Sequence, residues 1–373
     1  MPRANTSAEQ SRGMLQICPS DVPPFAELCQ AYSSAAQSLG VPNHIIYLAP
    51  PVRSHSDQPI GSHISHLHMD DLTNHSVAAE RLGRACPFPN PRLILCHRYR
   101  SYRVARVADL PQERSIAIAH EFGLLRRWQR RLDRALSART LRFAGISPAV
   151  VADLENTVSQ ALLLPNIIDW AKVERRQLDR AEARSHLGIV NDHFCIGVVG
   201  RLHRKKRPSL AIDAMAALGG TQPPTELLFI GDGDLRDALA AQAAALQTQG
   251  QHIRFAGFVA DARRYFSGLD ALLLTSSSAE AFGMVALEAL AVGLPVIAAD
   301  VPGVRSVLGE LGFYASENPT AEELATQIRK VQALIRMGEL DAWQAEAGAR
   351  VRKEFSISAG AQRLQPLLAM PKT

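Results

Sequence analysis

One run of residues places two carboxylates around a helix start: Ser276-Ser277-Ser278-Ala279-Glu280-Ala281-Phe282-Gly283-Met284-Val285-Ala286-Leu287-Glu288. It follows an apolar stretch, so Glu280 falls in a strand-to-helix loop while Glu288 lies about two turns into the helix. The two acids can therefore reach different parts of one extended ligand. Between them, the backbone N–H groups near Phe282, Gly283 and Met284 form a helix N-terminus, a natural cradle for phosphate. Gly283 lets a ligand approach the backbone closely. Sugar and ribose hydroxyls donate hydrogen bonds whereas phosphates accept them, so acids flanking an anion site suit a nucleoside diphosphate sugar. The alternative for the same pair is a capping glutamate and an exposed helix glutamate.

A second run, Val199-Gly200-Arg201-Leu202-His203-Arg204-Lys205-Lys206-Arg207-Pro208, leaves another apolar stretch with five cations between Arg201 and Arg207. Such a loop at the carboxyl end of a strand can clamp phosphate. A solvated basic loop is its alternative. The P-loop pattern G-x-x-x-x-G-K-[ST] is absent from it.

Those loops need strands beneath them and helices beyond them. Short apolar runs alternate with helical patterns along the chain, which predicts parallel sheets covered on both faces. Strands are expected at 14–19, 44–48, 93–96 and 116–119, with another ending at 145–147, and helices at 24–39 and 76–84. The second half predicts strands at 194–199, 226–230, 253–255, 271–274 and 295–298. Its helices are expected at 208–218, 234–248, 262–267, 283–292 and 321–337. The expected organisation is a disordered leader over 1–12, an N-terminal domain over 13–167, a nucleotide-sugar domain over 168–352 and a helix over 353–373 crossing back to the first domain. Ligands are expected at the carboxyl ends of the strands, in a cleft between two doubly wound domains.

At 373 residues the chain is long enough for two domains at about 150 residues each. Its five cysteines are widely spaced with no C-x-x-C, which argues against a disulfide framework and fits a reducing, cytoplasmic setting. No apolar run reaches the ~18 residues of a membrane span, and the polar start lacks a signal-peptide core. Charge is uneven: no lysine precedes Lys172, and residues 92–142 hold thirteen arginines against four acids. That window is either a set of solvated helix faces or a surface for an anionic acceptor or an acidic membrane, the inner face of the cytoplasmic membrane included. Nucleic acid is not expected, because no zinc-finger or RRM-type aromatic motif accompanies the arginines.

Taken together, these residues resemble the retaining GT-B glycosyltransferases of family 4, the group 1 glycosyl transferases. The resemblance covers roughly 162–310 and runs through Leu164-Pro165-Asn166-Ile167-Ile168-Asp169, Gly200-Arg201-Leu202 with Lys206, and Ile230-Gly231-Asp232-Gly233. Phe255-Ala256-Gly257-Phe258, the Glu280/Glu288 pair and Gly293-Leu294-Pro295-Val296 complete it. It implies an α/β GT-B fold of two Rossmann-like domains and transfer of a sugar from a nucleotide diphosphate donor to a glycan or lipid-linked hydroxyl, as in cell-surface polysaccharide or lipopolysaccharide assembly. By the same resemblance, Arg201 and Lys206 bind the donor diphosphate, Glu280 the sugar and Glu288 the ribose, with Gly200 and Gly231 also among the donor-binding residues. Phe282, Gly283 and Met284 face the phosphates, and base recognition falls near Phe258 and Val259.

In the first half, His120 resembles the family's reaction-centre histidine, and His97, Arg98 and Arg100 are acceptor-side candidates. The loop after the first strand reads Cys18-Pro19-Ser20-Asp21-Val22-Pro23-Pro24 where family members commonly carry glycines. Neither a metal nor another cofactor is expected. Asp232-Gly233-Asp234 fits D-x-D, but falls in the glycine turn; His55, His63, His66 and His68 suffice for zinc only by count. Other readings are a nucleotide-sugar epimerase, a synthase with a soluble acceptor, and a non-catalytic glycan-binding relative.

Overall fold

The computed structural model describes residues 12–52, 62–69, 74–126, 130, 142–220, 223–247 and 250–369. The leader up to residue 11, His55, Arg127, Arg131, Arg134 and Arg139 lie outside the described residues. Two compact units emerge, one of Met1–Ile168 with Lys353–Thr373 and one of Asp169–Arg352.

The first unit contains β1 (Met14–Cys18), α1 (Phe25–Ser38), β2 (Asn43–Tyr47), β3 (Ser62–His66), α2 (His75–Ala85), β4 (Leu93–His97) and α3 (Arg98–Val107). These are followed by β5 (Ser115–Ala119), β6 (Arg142–Gly145), α4 (Pro148–Glu155) and β7 (Leu162–Leu163). All strands pair in parallel, in the order β3-β2-β1-β4-β5-β6-β7. Strands β1, β2, β4 and β5 are buried along their whole length, which is why they read as continuous apolar runs. A C-terminal helix, Ile357–Leu368, packs on α1, where Gly360 admits Ile167.

Several elements depart from expectation, among them these three. The His-rich stretch contains an edge strand, β3, whose single aliphatic residue Ile64 pairs with Ile45. Helix α3 follows β4 without a loop, and its arginines mask an apolar face of Tyr99, Tyr102, Val104 and Ala105. Residues 262–268 form a 3-10 helix instead of an α-helix.

The second unit has β8 (Phe194–Val199), β9 (Thr225–Ile230), β10 (His252–Gly257), β11 (Ala271–Leu274), β12 (Val296–Ala299) and β13 (Phe313–Ala315). Its helices are α5 (Trp170–Arg175), α6 (Arg180–Leu187), α7 (Ser209–Leu218), α8 (Arg236–Gln247), α9 (Met284–Ala291), α10 (Pro302–Leu308), α11 (Ala321–Arg336) and α12 (Leu340–Glu354). Strand order is β10-β9-β8-β11-β12-β13, again parallel. One core, built from Ile196, Phe229 and Leu273 of the sheet with Ile212, Met215 and Ile328 of α7 and α11, holds these strands together. Asp169 and Asp179 cap α5 and α6, and Thr320 with Glu323 forms a capping box on α11.

Candidate functional site

In the second unit the sheet grows outward in both directions from the β8–β11 pair, so the loops after these two strands diverge at a topological switch point. Those loops carry the expected basic run and Glu280, the first of the two expected acids. They are stitched together: Ser277 N–H donates to the Lys205 carbonyl (3.0 Å), and Thr275 Oγ1 donates to the Lys206 carbonyl (2.8 Å). Lys206 Nζ donates directly to Glu280 Oε2. An ammonium has three N–H donors, so this pairing leaves donors on Lys206 for a second anion.

Arg207 has a different role from its basic neighbours. Its guanidinium donates to the carbonyls of Thr275 (2.8 Å), Ser276 (2.8 Å) and Glu317 (3.0 Å) and to Asn318 Oδ1 (2.9 Å). It is a strut between the loops after β8, β11 and β13. Arg201 instead lies in solvent and reaches Asp234 at 3.3 Å, with both side chains about two-thirds exposed (68% and 70%). An exposed pair of this kind contributes only about 0–1 kcal/mol, so Asp234 is a weak competitor for any phosphate that Arg201 meets.

Glycines set how tightly the loops nest. A Cβ on Gly231 would lie 2.0 Å from the Gly200 carbonyl oxygen, and one on Gly233 would lie 2.5 Å from that of Leu202. Backbone bonds from Gly200 to Ile230 (3.0 Å), Leu202 to Asp232 (2.9 Å) and Gly231 to Gly257 (2.7 Å) lock the ends of β8, β9 and β10. Asp232 lies 3.8 Å from Arg236 and Asp234 faces Arg201, so both acids of the D-x-D sequence face arginines. Among the described residues no three His, Cys, Asp or Glu side chains converge as metal ligands.

Helix α9 starts at Gly283, whose φ of +86° is a left-handed conformation that favours glycine and whose lack of a side chain leaves the first turn without a side-chain cap. Beside it, Gly303 brings α10 so close that a Cβ there would sit 2.1 Å from the Glu280 carbonyl oxygen. Phe282 is buried and Met284 is half-buried. Glu288 lies on α9 and accepts from Arg263 at 3.3 Å, while Arg263 Nε donates to Asp261 at 2.7 Å. Sequence reasoning missed Arg263; the only signal was its place shortly after Gly257-Phe258-Val259. Phe258 projects into solvent at 76% exposure, and Val259 is half-buried.

The first unit has its own switch point, between β1 and β4. His97 ends β4, Phe25 opens α1 and His120 follows β5. His97 Nδ1 and His120 Nε2 are 3.1 Å apart, and Phe25 meets the two rings edge-on at 6.5 and 5.1 Å. Burial pushes the His97 pKa down to about 3. Burial, with His97 and Arg98 nearby, holds His120 well below the ordinary histidine range. Arg98 has a φ of +69°, strained for a non-glycine residue, and its guanidinium lies 4.8 Å from the Phe25 ring centre. Arg98 and Arg100 are exposed and meet no carboxylate among the described residues.

Much of the arginine window does internal work. Arg114 donates to the Pro91 carbonyl, Arg126 pairs with Asp153, and Arg130 lies over Tyr99. The histidine-rich segment is similarly tied into the fold. His63 stacks on His44, and His66 stacks on Tyr47 beside the buried Asp21. Asp21 accepts the Val52 N–H on both oxygens at 3.2 Å, which pins the loop after β1.

The family model described as Glycosyl transferases group 1 matches residues 179–341. Phosphatidyl-myo-inositol mannosyltransferase of Mycobacterium leprae is 31% identical over 164 residues, 43% of this chain and 42% of that protein. Alpha-monoglucosyldiacylglycerol synthase of Streptococcus pneumoniae is 30% identical over 158 residues, 41% of this chain and 35% of that protein. The chain thus spans less than half the length of these curated relatives. The crystal structure of Anabaena HepE in complex with UDP and glucose superimposes with a TM-score of 0.73 at 19% identity, over 96% of this chain and 100% of that one. Sucrose-phosphate synthase from Thermosynechococcus elongatus does so with a TM-score of 0.72 at 18% identity, over 95% and 98%. At these identities the likeness is one of fold. Residues 179–341 therefore form a glycosyl transferases group 1 domain, within a chain of two parallel-sheet, Rossmann-like units of GT-B type.

Proposed function

We propose that the chain is a retaining glycosyltransferase of family 4 that moves a hexose-type sugar from a nucleoside diphosphate donor to a hydroxyl of a glycan or lipid-linked acceptor. The observation that carries this reading is the Lys206–Glu280 pair at the β8–β11 switch point, next to the start of α9. Cation, carboxylate and amide donors are the groups that diphosphate and sugar hydroxyls require.

In the reaction, the bond between the anomeric carbon and the β-phosphate oxygen breaks and its electron pair leaves with the diphosphate. Lys206, Arg201 and the α9 amides stabilise that developing charge, a preorganised electrostatic contribution. The acceptor hydroxyl oxygen forms the new bond to the anomeric carbon, on the face the diphosphate leaves, and its proton passes to a departing phosphate oxygen. Glu280 accepts sugar hydroxyls and Glu288 the ribose, and His120 is the candidate catalytic histidine of the first unit. No metal is needed for this charge balance.

Arg98 and Arg100 support an anionic or membrane-bound acceptor, met at the cytoplasmic face of a membrane. Among the described residues no helix is long and apolar enough to cross one. Incubation with nucleotide sugars and lipid-linked or soluble glycan acceptors tests the assignment. Transfer with retained anomeric configuration is expected; donor turnover without an acceptor points to an epimerase and contradicts it.

A further inference from the structure

Gln16 is the polar residue of an otherwise apolar, fully buried strand. Its Nε2 donates to the Cys29 carbonyl (2.9 Å) and to Ser33 Oγ (3.0 Å) on α1. A carbonyl oxygen can only accept, so the amide has one orientation. Turning it over would set Gln16 Oε1 against the Cys29 carbonyl oxygen. Oε1 therefore faces His97 Nε2 at 3.3 Å, and a hydrogen bond there requires the proton to be on Nε2.

The consequence propagates one residue further. A neutral imidazole protonated on Nε2 has a lone pair on Nδ1, and His97 Nδ1 faces His120 Nε2 at 3.1 Å. The proton between the two rings therefore belongs to His120 Nε2. With that nitrogen occupied, the basic nitrogen of neutral His120 is Nδ1, which no group bonds among the described residues. Phe25 meets both rings edge-on, and His97 is fully buried, so the bond between the two imidazoles lies on the sheltered side of His120.

We propose that Gln16, acting through His97, fixes His120 as the Nε2–H tautomer and so presents Nδ1 as the hydrogen-bond acceptor for a substrate hydroxyl. Gln16 and His97 are positioning residues in this account. Contacts from Nε2 alone would suffice to tie β1 to α1. The bond from His97 to Oε1 extends beyond that structural tie and makes residue 16 part of the site. The role at the substrate hydroxyl rests on the reading of His120 as a reaction-centre histidine; the tautomer does not.

The test is ¹⁵N NMR of the imidazoles in the full chain, read beside steady-state kinetics. His120 is expected to show a pyrrole-type Nε2 and a pyridine-type Nδ1 throughout about pH 5 to 8, the range where an unperturbed histidine titrates. Gln16→Met removes the acceptor at similar volume. It is expected to mix the His97 and His120 tautomers and to lower kcat at least about tenfold, as losing a group that orients a histidine does, with KM for the nucleotide sugar held. A pyrrole-type Nδ1 at His120 in the wild type, or an unaltered His120 tautomer in Gln16→Met, overturns the relay. Mixed tautomers with undiminished kcat overturn the substrate contact while leaving nucleotide-sugar transfer itself in place. Should Gln16→Met fail to fold, the wild-type spectrum alone decides the tautomer.

Discussion

Lys206 and Glu280 are bonded directly, ammonium to carboxylate, across the two loops that leave β8 and β11. In the proposed transfer the two groups serve different parts of the donor, the cation its phosphate and the carboxylate its hydroxyls.

Replacing the cation tests its half of that division. Lys206→Met keeps an unbranched side chain, one heavy atom shorter, but removes the charge and leaves Glu280 without its ammonium. We expect kcat/KM for sugar transfer to fall by the equivalent of about 2–4 kcal/mol, as when an oxyanion donor is lost. A decrease of less than about tenfold contradicts the assignment.

The nesting of the loops predicts a stability effect away from any charge. Gly231→Ala puts a methyl 2.0 Å from the Gly200 carbonyl oxygen at a φ of +145°. The collision and strain should cost about 2–4 kcal/mol, measured by urea unfolding. Gly220 has open space where a Cβ would go, so Gly220→Ala serves as the control and should change stability by less than about 0.5 kcal/mol.

Arg201 and Arg207 should separate cleanly. Arg207→Ala removes four bonds to loop oxygens and is expected to destabilise the fold by roughly 2–3 kcal/mol. Arg201→Ala breaks only an exposed ion pair, so its thermal midpoint should match the wild type while its nucleotide affinity falls. The reverse pattern would show that the strut and the phosphate ligand have been exchanged.

Acid sensitivity follows from His97. This imidazole is fully buried and kept neutral, its pKa pushed down to about 3 by desolvation, whereas in the unfolded chain it protonates near the ordinary ~6.5. Between those values the unfolded state binds more protons than the native state. Stability is therefore complete above about pH 6.5 and is lost as the pH falls toward 3. At about pH 5 this one group removes on the order of 2 kcal/mol. The urea midpoint should fall between about pH 7 and 5, and His97→Gln should show a smaller fall; an identical slope in the variant would exclude His97 as its source.

The sequence makes legible whatever is local. Apolar runs such as 194–199 and 271–274 read as buried strands, and the residues just beyond them, Arg201, Lys206 and Glu280, read as candidates because strand ends position ligand-binding loops. Pairing between distant residues leaves no local trace. Arg263 and Glu288 meet across 25 positions and Gln16 and His97 across 81, and neither contact alters hydrophobic periodicity. Helix α3 was hidden for another reason: four arginines in ten residues obscure the tyrosines and aliphatic residues that fix its buried face. Edge strand β3 was hidden because four polar or ionisable residues, two serines and two histidines, surround its one isoleucine.

Diphosphate binding at the β8–β11 loops is the central proposal, and a thermal-shift titration with UDP, GDP, ADP and their sugars tests it directly. One nucleoside diphosphate should raise the unfolding midpoint of the wild type saturably, following RT ln(1 + [L]/Kd). The same ligand should have a much smaller effect on Lys206→Met. No shift with any of these ligands, or an equal shift in the variant, would contradict the placement of the donor diphosphate at Lys206.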